Sequence, residues 1–421
     1  MAHRSAYESL LRRNSPHLRN GRTVSRSQGT TALPALVQAQ PLSVLEIGNG
    51  WFPERAGGLN RMFFNLNRHL PSVGIQPSGL VVGSGNIFEQ SNGTTQGCIP
   101  SASPLPKRLF AFRNRAEDLL KTSRIDLVAS HFALYTLPIL DKVKNLPLVV
   151  HFHGPWGMEA AAEGANPLST KAKRLIESAV YRQAHRYVVL SNAFAKILIE
   201  EYSVDPERIR IIPGGVDTAT FGLGITRQQA RQAFGFPTDR PIVLTVRRLA
   251  HRMGLESLIN ATLLLREKIP DILVAIAGSG ILADKLQEKV SASGLDDHVK
   301  LLGFIPDHLL PYAYRAADLS IMPTQTLEGF GLSTVESLAA GTPALVTPIG
   351  GLPEVVQHLA GDLVLEGCSV EDIADGIRQA LSGSLNLPSP TECQTFAARN
   401  FDWSIIAAST ARVYRESYSS F

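Results

Sequence analysis

The stretch PTQTLEGFGLSTVESLAAGTPALVTPIGGLP runs from Pro323 to Pro353 and carries two glutamates, Glu328 and Glu336, on either side of a GFGLS loop. An apolar helical run, VESLAA, follows the loop. A short β-like run, ALVT, is bracketed by Pro343 and Pro348. A glycine-bearing loop that opens a helix gathers unpaired N–H groups and a partial positive charge at one point, which suits an anion. Carboxylates beside it repel phosphate and suit hydroxyls, as on a sugar or ribose. The stretch therefore predicts a cradle for a ligand bearing both phosphate and hydroxyl groups. Ser333-Thr334-Val335-Glu336 also spells a capping box, which would make Glu336 a structural residue of the first helical turn. Glu328 precedes the loop and has no such duty.

Outward from this stretch the chain alternates. Strand-like runs fall at SVLEIG (43–48), GLVVGS (79–84), DLVAS (126–130), LVVHFHG (148–154), YVVLS (187–191) and IRIIPGG (209–215). A second series follows at PIVLTVRRL (241–249), ILVAIAGSG (272–280), VKLLGF (299–304), LSIMPT (319–324), ALVT and DLVLEG (362–367). Amphipathic helices separate many of them. Apolar, β-branched strands alternating with helices predict parallel sheets covered on both faces. The expected organisation is a 1–41 extension, a 42–220 domain, a 221–400 domain and a C-terminal helix over 401–421. Two doubly wound α/β domains of this kind leave a cleft between the carboxyl ends of their strands.

At 421 residues the chain is long for one core and suits two domains. No apolar run approaches the ~20 residues needed to cross a membrane. Net charge is +4, and six arginines against Glu8 give residues 1–40 a charge of +5, so the remainder stands at −1. The basic character belongs to the tail and gives no case for nucleic acid. The tail reads as disordered; a targeting peptide and a weak contact with an anionic membrane surface are the other readings. Cys98, Cys368 and Cys393 form no CxxC pair, so neither a disulfide framework nor a zinc site is indicated, and a reducing, cytoplasmic setting is expected.

Three further loops sit at strand tips. GNGWFPERAGGLNR fails the dinucleotide G-x-G-x-x-G spacing at Pro53. Its Gly57 and Gly58 suit either a tight strand–helix turn or close approach to an anion. In HFHGPWGMEAAAE (151–163), His151 and His153 are expected to point to opposite faces and to make a poor joint metal pair. His153 closes the strand and faces the cleft, where it suits a substrate hydroxyl or phosphate. TVRRLAHRMG (245–254) places Arg247, Arg248, His251 and Arg252 together, with one of the two adjacent arginines facing the cleft. Such a cluster suits a diphosphate, or else is a solvated basic loop.

These loops together resemble the retaining glycosyltransferases of family 4, whose two-Rossmann architecture is called GT-B. The matching pieces are GG (57–58), HFHGPW (151–156), PGGVD (213–217), RRLAHRMGLESLI (247–259), AGSG (277–280), LLGFIP (301–306) and EGFGLSTVESLAAGTPALVTPIGGLPEVV (328–356). The resemblance runs from about Leu42 to the C-terminus and is weaker in the first domain. It implies that Glu328 faces the donor sugar and Glu336 the nucleotide ribose. The backbone of Gly329, Phe330, Gly331, Leu332, Ser333 and Thr334 would hold the sugar and phosphates. Arg248 would bind the diphosphate, and His153 would lie by the reacting sugar. Gly57 and Gly58 would line the diphosphate or acceptor side, and Gly303 and Phe304 the base.

The implied activity is transfer of a sugar from a nucleotide-diphosphate sugar to an acceptor hydroxyl of a sugar, lipid-linked or small-molecule acceptor. It would proceed with retention and without metal or cofactor. One position departs from the pattern. Met253 stands where many members carry a lysine, and Arg252 or His251 is the expected source of the missing charge. Two other readings share the cleft: another GT-B enzyme, such as an epimerase or phosphorylase, and a non-catalytic nucleotide-sugar-binding protein. The C-terminal helix is expected to cross back onto the first domain, with Trp403 and Tyr414 packing across the hinge.

Overall fold

The computed structural model describes residues 41–421, so the readings of the basic tail lie outside the described residues. The first domain holds a seven-stranded parallel sheet of β1 (Leu42–Ile47), β2 (Ile75–Val81), β3 (Thr95–Gly97), β4 (Leu127–Ser130), β5 (Leu148–Phe152), β6 (Arg186–Val189) and β7 (Ile209–Ile211). The second holds a five-stranded parallel sheet of β8 (Ile242–Val246), β9 (Leu273–Ala277), β10 (Val299–Gly303), β11 (Leu319–Met322) and β12 (Ala344–Val346). Strands such as LVAIA of β9 are apolar and buried throughout, because helices cover both faces of a parallel sheet.

Strand order places the site. It runs 3-2-1-4-5-6-7 in the first sheet and 10-9-8-11-12 in the second. Winding direction reverses between β1 and β4 and again between β8 and β11, which opens a crevice at each pair of carboxyl ends. The four loops leaving those strands are the loop before Gly57, the His131 turn, the Arg247–Gly254 loop and the Glu328 loop. Three of these four loops are ones the sequence singles out, and topology brings them together at the strand ends.

Six helices matter below: α1 (Gly58–His69), α2 (Trp156–Ala162), α3 (Pro167–Tyr181), α4 (Asn192–Tyr202), α5 (Leu332–Ala339) and α6 (Trp403–Ser419). The final helix packs on the first domain. Trp403, Ile406, Val413 and Tyr414 share one buried cluster with Leu42, Val44, Leu66 and Val149. Trp403 stacks on His69 with ring centroids 5.8 Å apart. The two connections between the domains run side by side, with Val216 N donating to Phe401 O at 2.8 Å. Asp402 starts α6 by accepting from the Ser404 amide, and Thr218 Oγ1 donates to the same carboxylate.

Two element readings change. DLVLEG is not a sheet strand: Gly361–Leu363 is a 3-10 turn, and Val364 makes a single bridge to Val346. The run is short and apolar, and length alone does not separate a strand from a buried turn. The three-residue β3, TQG, carries too little apolar pattern to be read as a strand.

Trp403 is 2% exposed, so Trp403→Ala should cost about 3–5 kcal/mol. Urea unfolding of the full chain checks this, and a loss under about 1 kcal/mol would mean that α6 does not hold the first domain.

Candidate functional site

A cavity of about 490 Å³ lies between the two domains, within the size range of small-molecule sites. Its first-domain wall includes Asn49, Arg55, Gly57, Gly58, His131 and His153; its second-domain wall includes Arg247, Arg248, Arg252, Glu328 and the 329–333 backbone. Gly57 precedes α1 with φ 131°, a conformation that side chains resist, while a Cβ there would touch nothing within 4 Å. The glycine is therefore required by the backbone, and it leaves open space in front of the helix start.

On the opposite wall α5 begins at Leu332 behind Gly331, whose φ of 85° is again a glycine conformation. The first amides of a helix have no intrahelical partner, so those of α5 point at the cavity. No side chain caps this end. That overturns the capping-box reading: the helix starts two residues earlier than Ser333-x-x-Glu336 requires, Ser333 Oγ donates instead to Val246 O at 2.7 Å, and Glu336 lies in the second turn.

Arg247 and Arg248 diverge. Arg247 turns inward and ion-pairs with Glu328; Arg248 stays exposed on the cavity. Burial pushes the Glu328 carboxyl up, but Arg247 and Arg252, with hydrogen bonds from Arg247 and the Phe330 amide, outweigh it and hold the group below its ordinary range. The cation beside Met253 is neither His251 nor Arg252. Arg247 Nη2 lies 2.9 Å from the Met253 sulfur. His251 is half-exposed, 3.5 Å from Glu256, and off the cavity wall. Arg252 lines the cavity but is held by Leu327 O at 2.5 Å and by Glu159 and Glu163 of the first domain at 3.3 and 3.6 Å.

The histidines correct another expectation. Residues two apart on a strand share a face, since side chains alternate with period two. His151 and His153 accordingly lie on one side of β5, their rings 6.2 Å apart. His131, at the tip of β4, stacks between them at 4.1 and 5.2 Å. These three histidines are the one metal-compatible cluster found among the described residues. Four of their six ring nitrogens are already engaged. His131 Nδ1 lies 2.9 Å from His153 Nε2, and His131 Nε2 lies 2.8 Å from Glu46 Oε2. His151 Nε2 lies 2.7 Å from Tyr414 Oη, which also donates to Glu46 Oε1 at 2.9 Å. Burial holds all three imidazoles well below their ordinary pKa, His131 at about 3, and pushes the Glu46 carboxyl up to about 8.

Of the residues singled out in the sequence, Gly57, Gly58, His153, Arg248, Arg252, Glu328, Gly329, Phe330, Gly331, Leu332 and Ser333 line the one cavity. Four lie off it. Thr334 is fully buried, and its amide is spent on Gly331 O at 2.9 Å. Gly303 and Phe304 stand at the end of edge strand β10, two strands from β8, with Phe304 exposed. Glu336 is covered: Tyr314 Oη donates to it at 3.0 Å, and Arg61 from α1 lies 3.8 Å away while pairing with Asp307 at 2.6 Å. Burial raises the Glu336 carboxyl, partly offset by Arg61.

Sequence reasoning missed Glu46, His131, Arg61 and Glu159. A carboxylate inside the apolar strand LSVLEI was the available signal for Glu46, since a buried acid needs partners. Arg61 sits on a helix that reads as an ordinary amphipathic segment, and Glu159 falls in the 151–163 stretch read as a strand-tip loop, which the structure makes the helix α2.

Two parallel, doubly wound domains facing each other across a cleft are the GT-B architecture. Residues 56–220 match the model for Glycosyltransferase Family 4, and residues 226–398 match that for glycosyl transferases group 1. The chain belongs to glycosyltransferase family 4. It is 27% identical to a D-inositol 3-phosphate glycosyltransferase of Corynebacterium aurimucosum, over 86% of this chain and 92% of that one. Its fold is shared with sucrose-phosphate synthase of Thermosynechococcus elongatus (TM-score 0.75, 21% identity, 90% of this chain and 100% of that one). It is shared as well with Anabaena HepE in complex with UDP and glucose (TM-score 0.71, 19% identity, 90% and 100%).

The Arg247–Glu328 pair has a measurable signature. Arg247→Met strands a buried carboxylate and should cost about 3–5 kcal/mol. Adding Glu328→Gln should recover part of that loss, with a coupling above about 1 kcal/mol in a double-mutant cycle. Additive losses in urea unfolding would show that the two side chains do not hold each other.

Proposed function

We propose that this enzyme transfers a sugar, with retention and without a metal ion, from a nucleoside-diphosphate sugar to a hydroxyl acceptor bound on the first-domain side. The observation that carries this reading is the Arg248–α5 wall: an exposed guanidinium and a free helix N-terminus face the same cavity, with Glu328 fixed beside them. Cations and amide dipoles there would stabilise charge as the diphosphate departs, which is the step that limits such a reaction. Arg247, lying against Met253, adds a guanidinium at the position where the lysine of related enzymes is missing. HepE, which shares the fold, holds UDP and glucose, in keeping with a nucleotide-sugar donor.

The carboxylates of the cavity support a mechanism with no protein nucleophile. Glu328 is tied to Arg247, Glu159 to Arg252, and Glu177 accepts from the Trp156 and Gly157 amides at the start of α2. A phosphate oxygen of the leaving diphosphate then takes the acceptor proton, on the same face that the acceptor attacks. His153 hydrogen-bonds the sugar or the leaving phosphate. Asn49 and Arg55 offer polar contacts to an acceptor, a sugar, a lipid-linked sugar or a small cyclitol phosphate of the kind named for the curated relative. No helix among the described residues is long and apolar enough to cross a membrane. Cytoplasmic work, with peripheral contact at the inner membrane face, is the accompanying reading.

Thermal-shift titration with UDP, GDP and ADP should raise the melting temperature with one base preferred, and Arg248→Ala should abolish the shift. Glu328→Gln, which keeps a hydrogen bond to Arg247, should lower kcat/KM by about 10²-fold or more while nucleotide binding persists. Product anomers read by NMR test retention, and chelator should leave turnover unchanged. Near-normal turnover in Glu328→Gln would refute the assignment of the donor-sugar contact.

A further inference from the structure

We infer that Glu46 and His131, with Tyr414 hydrogen-bonded to the Glu46 carboxyl, form a buried proton relay that decides which nitrogen of His153 carries the proton, linking the C-terminal helix to the cleft. The inference gains its functional meaning from the reading of His153 as a substrate contact. It is carried by an unbroken line of hydrogen bonds from the cavity wall to α6: His153 Nε2 to His131 Nδ1 at 2.9 Å, His131 Nε2 to Glu46 Oε2 at 2.8 Å, and Tyr414 Oη to Glu46 Oε1 at 2.9 Å.

The logic of donors and acceptors fixes the states. Two neutral imidazoles facing each other through nitrogen can share only one proton. With Glu46 protonated, its Oε2–H donates to His131 Nε2. His131 then carries its proton on Nδ1 and donates to His153 Nε2. His153 is left with its proton on Nδ1, which has no hydrogen-bond partner among the described residues, on a ring that lines the cavity. The cleft is offered an N–H donor. When Glu46 ionises, the three steps move together. The carboxyl proton passes to His131 Nε2, the His131 Nδ1 proton passes to His153 Nε2, and the His153 Nδ1 proton leaves into the cavity. One proton is released overall, and His153 now offers a lone pair. Tyr414 donates to Glu46 in both states, and His151 Nε2–H donates to Tyr414.

The relay therefore gives the cleft a proton-exchanging group that titrates where Glu46 does, at about 8. His153 itself stays a neutral imidazole, because burial resists its charging. The groups facing Glu46 are His131 and Tyr414, with His151 behind the tyrosine. The other ionisable side chains on the cavity are Arg55, Glu159, Glu177, Tyr181, Arg247, Arg248, Arg252 and Glu328. A metal ion would compete with the hydrogen bonds these rings make to each other, to Glu46 and to Tyr414, and the rings lie within 20° of parallel, which aims their in-plane lone pairs poorly at a common point.

Long-range ¹H–¹⁵N spectra of the full chain with ¹⁵N-labelled histidine read the tautomers directly. Wild-type His153 should be protonated on Nδ1 well below pH 8 and on Nε2 well above it. Glu46→Gln presents an amide N–H to His131 at every pH and should hold His153 in the Nδ1–H form throughout. Tyr414→Phe removes a hydrogen bond that favours the carboxylate, so the switch should move to higher pH. The relay is overturned if Glu46→Gln switches like the wild type, if Tyr414→Phe leaves the midpoint in place, or if one equivalent of Zn²⁺ perturbs all three rings together. A wild-type switch in a protein that transfers no sugar would sustain the relay and sink the reading of the site.

Discussion

A carboxylate stays ionised in a closed cleft only beside a cation, and Glu328 meets that condition through Arg247. Much of the second domain's local geometry follows. Two adjacent arginines at a strand tip point apart, so Arg247 can be buried while Arg248 remains in the cavity. Arg247 needs room beneath the loop, and the Met253 and Met322 sulfurs supply it with soft contacts rather than a second charge. A lysine at position 253 would crowd a like charge against Arg247. Arginine inside and methionine beside it are one arrangement, and the unusual methionine is explained by its neighbour.

The strands and the cleft were legible because a parallel sheet imposes a strong pattern: apolar β-branched runs, each followed by a loop at its carboxyl end. Loops rich in glycine and arginine stood out against that pattern. Boundaries were less legible. α5 begins at Leu332 because Gly331 adopts a left-handed conformation, and a capping-box match at Ser333 carries no information about that dihedral. DLVLEG shows the same weakness, since an apolar run does not reveal whether a neighbouring strand has edge left to receive it.

Contacts between distant residues were not legible at all. Glu46 and Tyr414 are 368 positions apart, and Arg61 and Asp307 are 246 apart. Nothing local in α1 distinguishes Arg61 from any arginine on a solvated face. The histidines are a different case. Spacing alone places His151 and His153 on one face of β5, and a buried pair of imidazoles on one face calls for partners. His131 and Glu46 answer that need from the two strands next in line, β4 and β1.

Domain closure and helix docking differ in kind. The domains touch through polar pairs, Arg61 with Asp307, Arg252 with Glu159, and Glu354 accepting from the Asn192 and Ala193 amides at the start of α4, and through Leu332 and Leu190, which each pack against the other domain's core. The polar pairs can be replaced by water, and a partly exposed one such as Arg61–Asp307 contributes only about 0–1 kcal/mol. By contrast α6 buries Trp403, Ile406, Val413 and Tyr414 against the first domain, an apolar seal that water does not replace. The α6 seal therefore ties the end of the chain to the first domain more firmly than the polar pairs tie the two domains together. The paired segments around Val216 and Phe401–Asp402, just before α6 begins, carry the chain between the domains. Arg61 is the side chain that parting of the domains would free from Glu336. A ribose ligand reaching Glu336, the contact the family resemblance implies, would meet the Arg61 guanidinium 3.8 Å from that carboxylate and the Tyr314 hydroxyl already bonded to it.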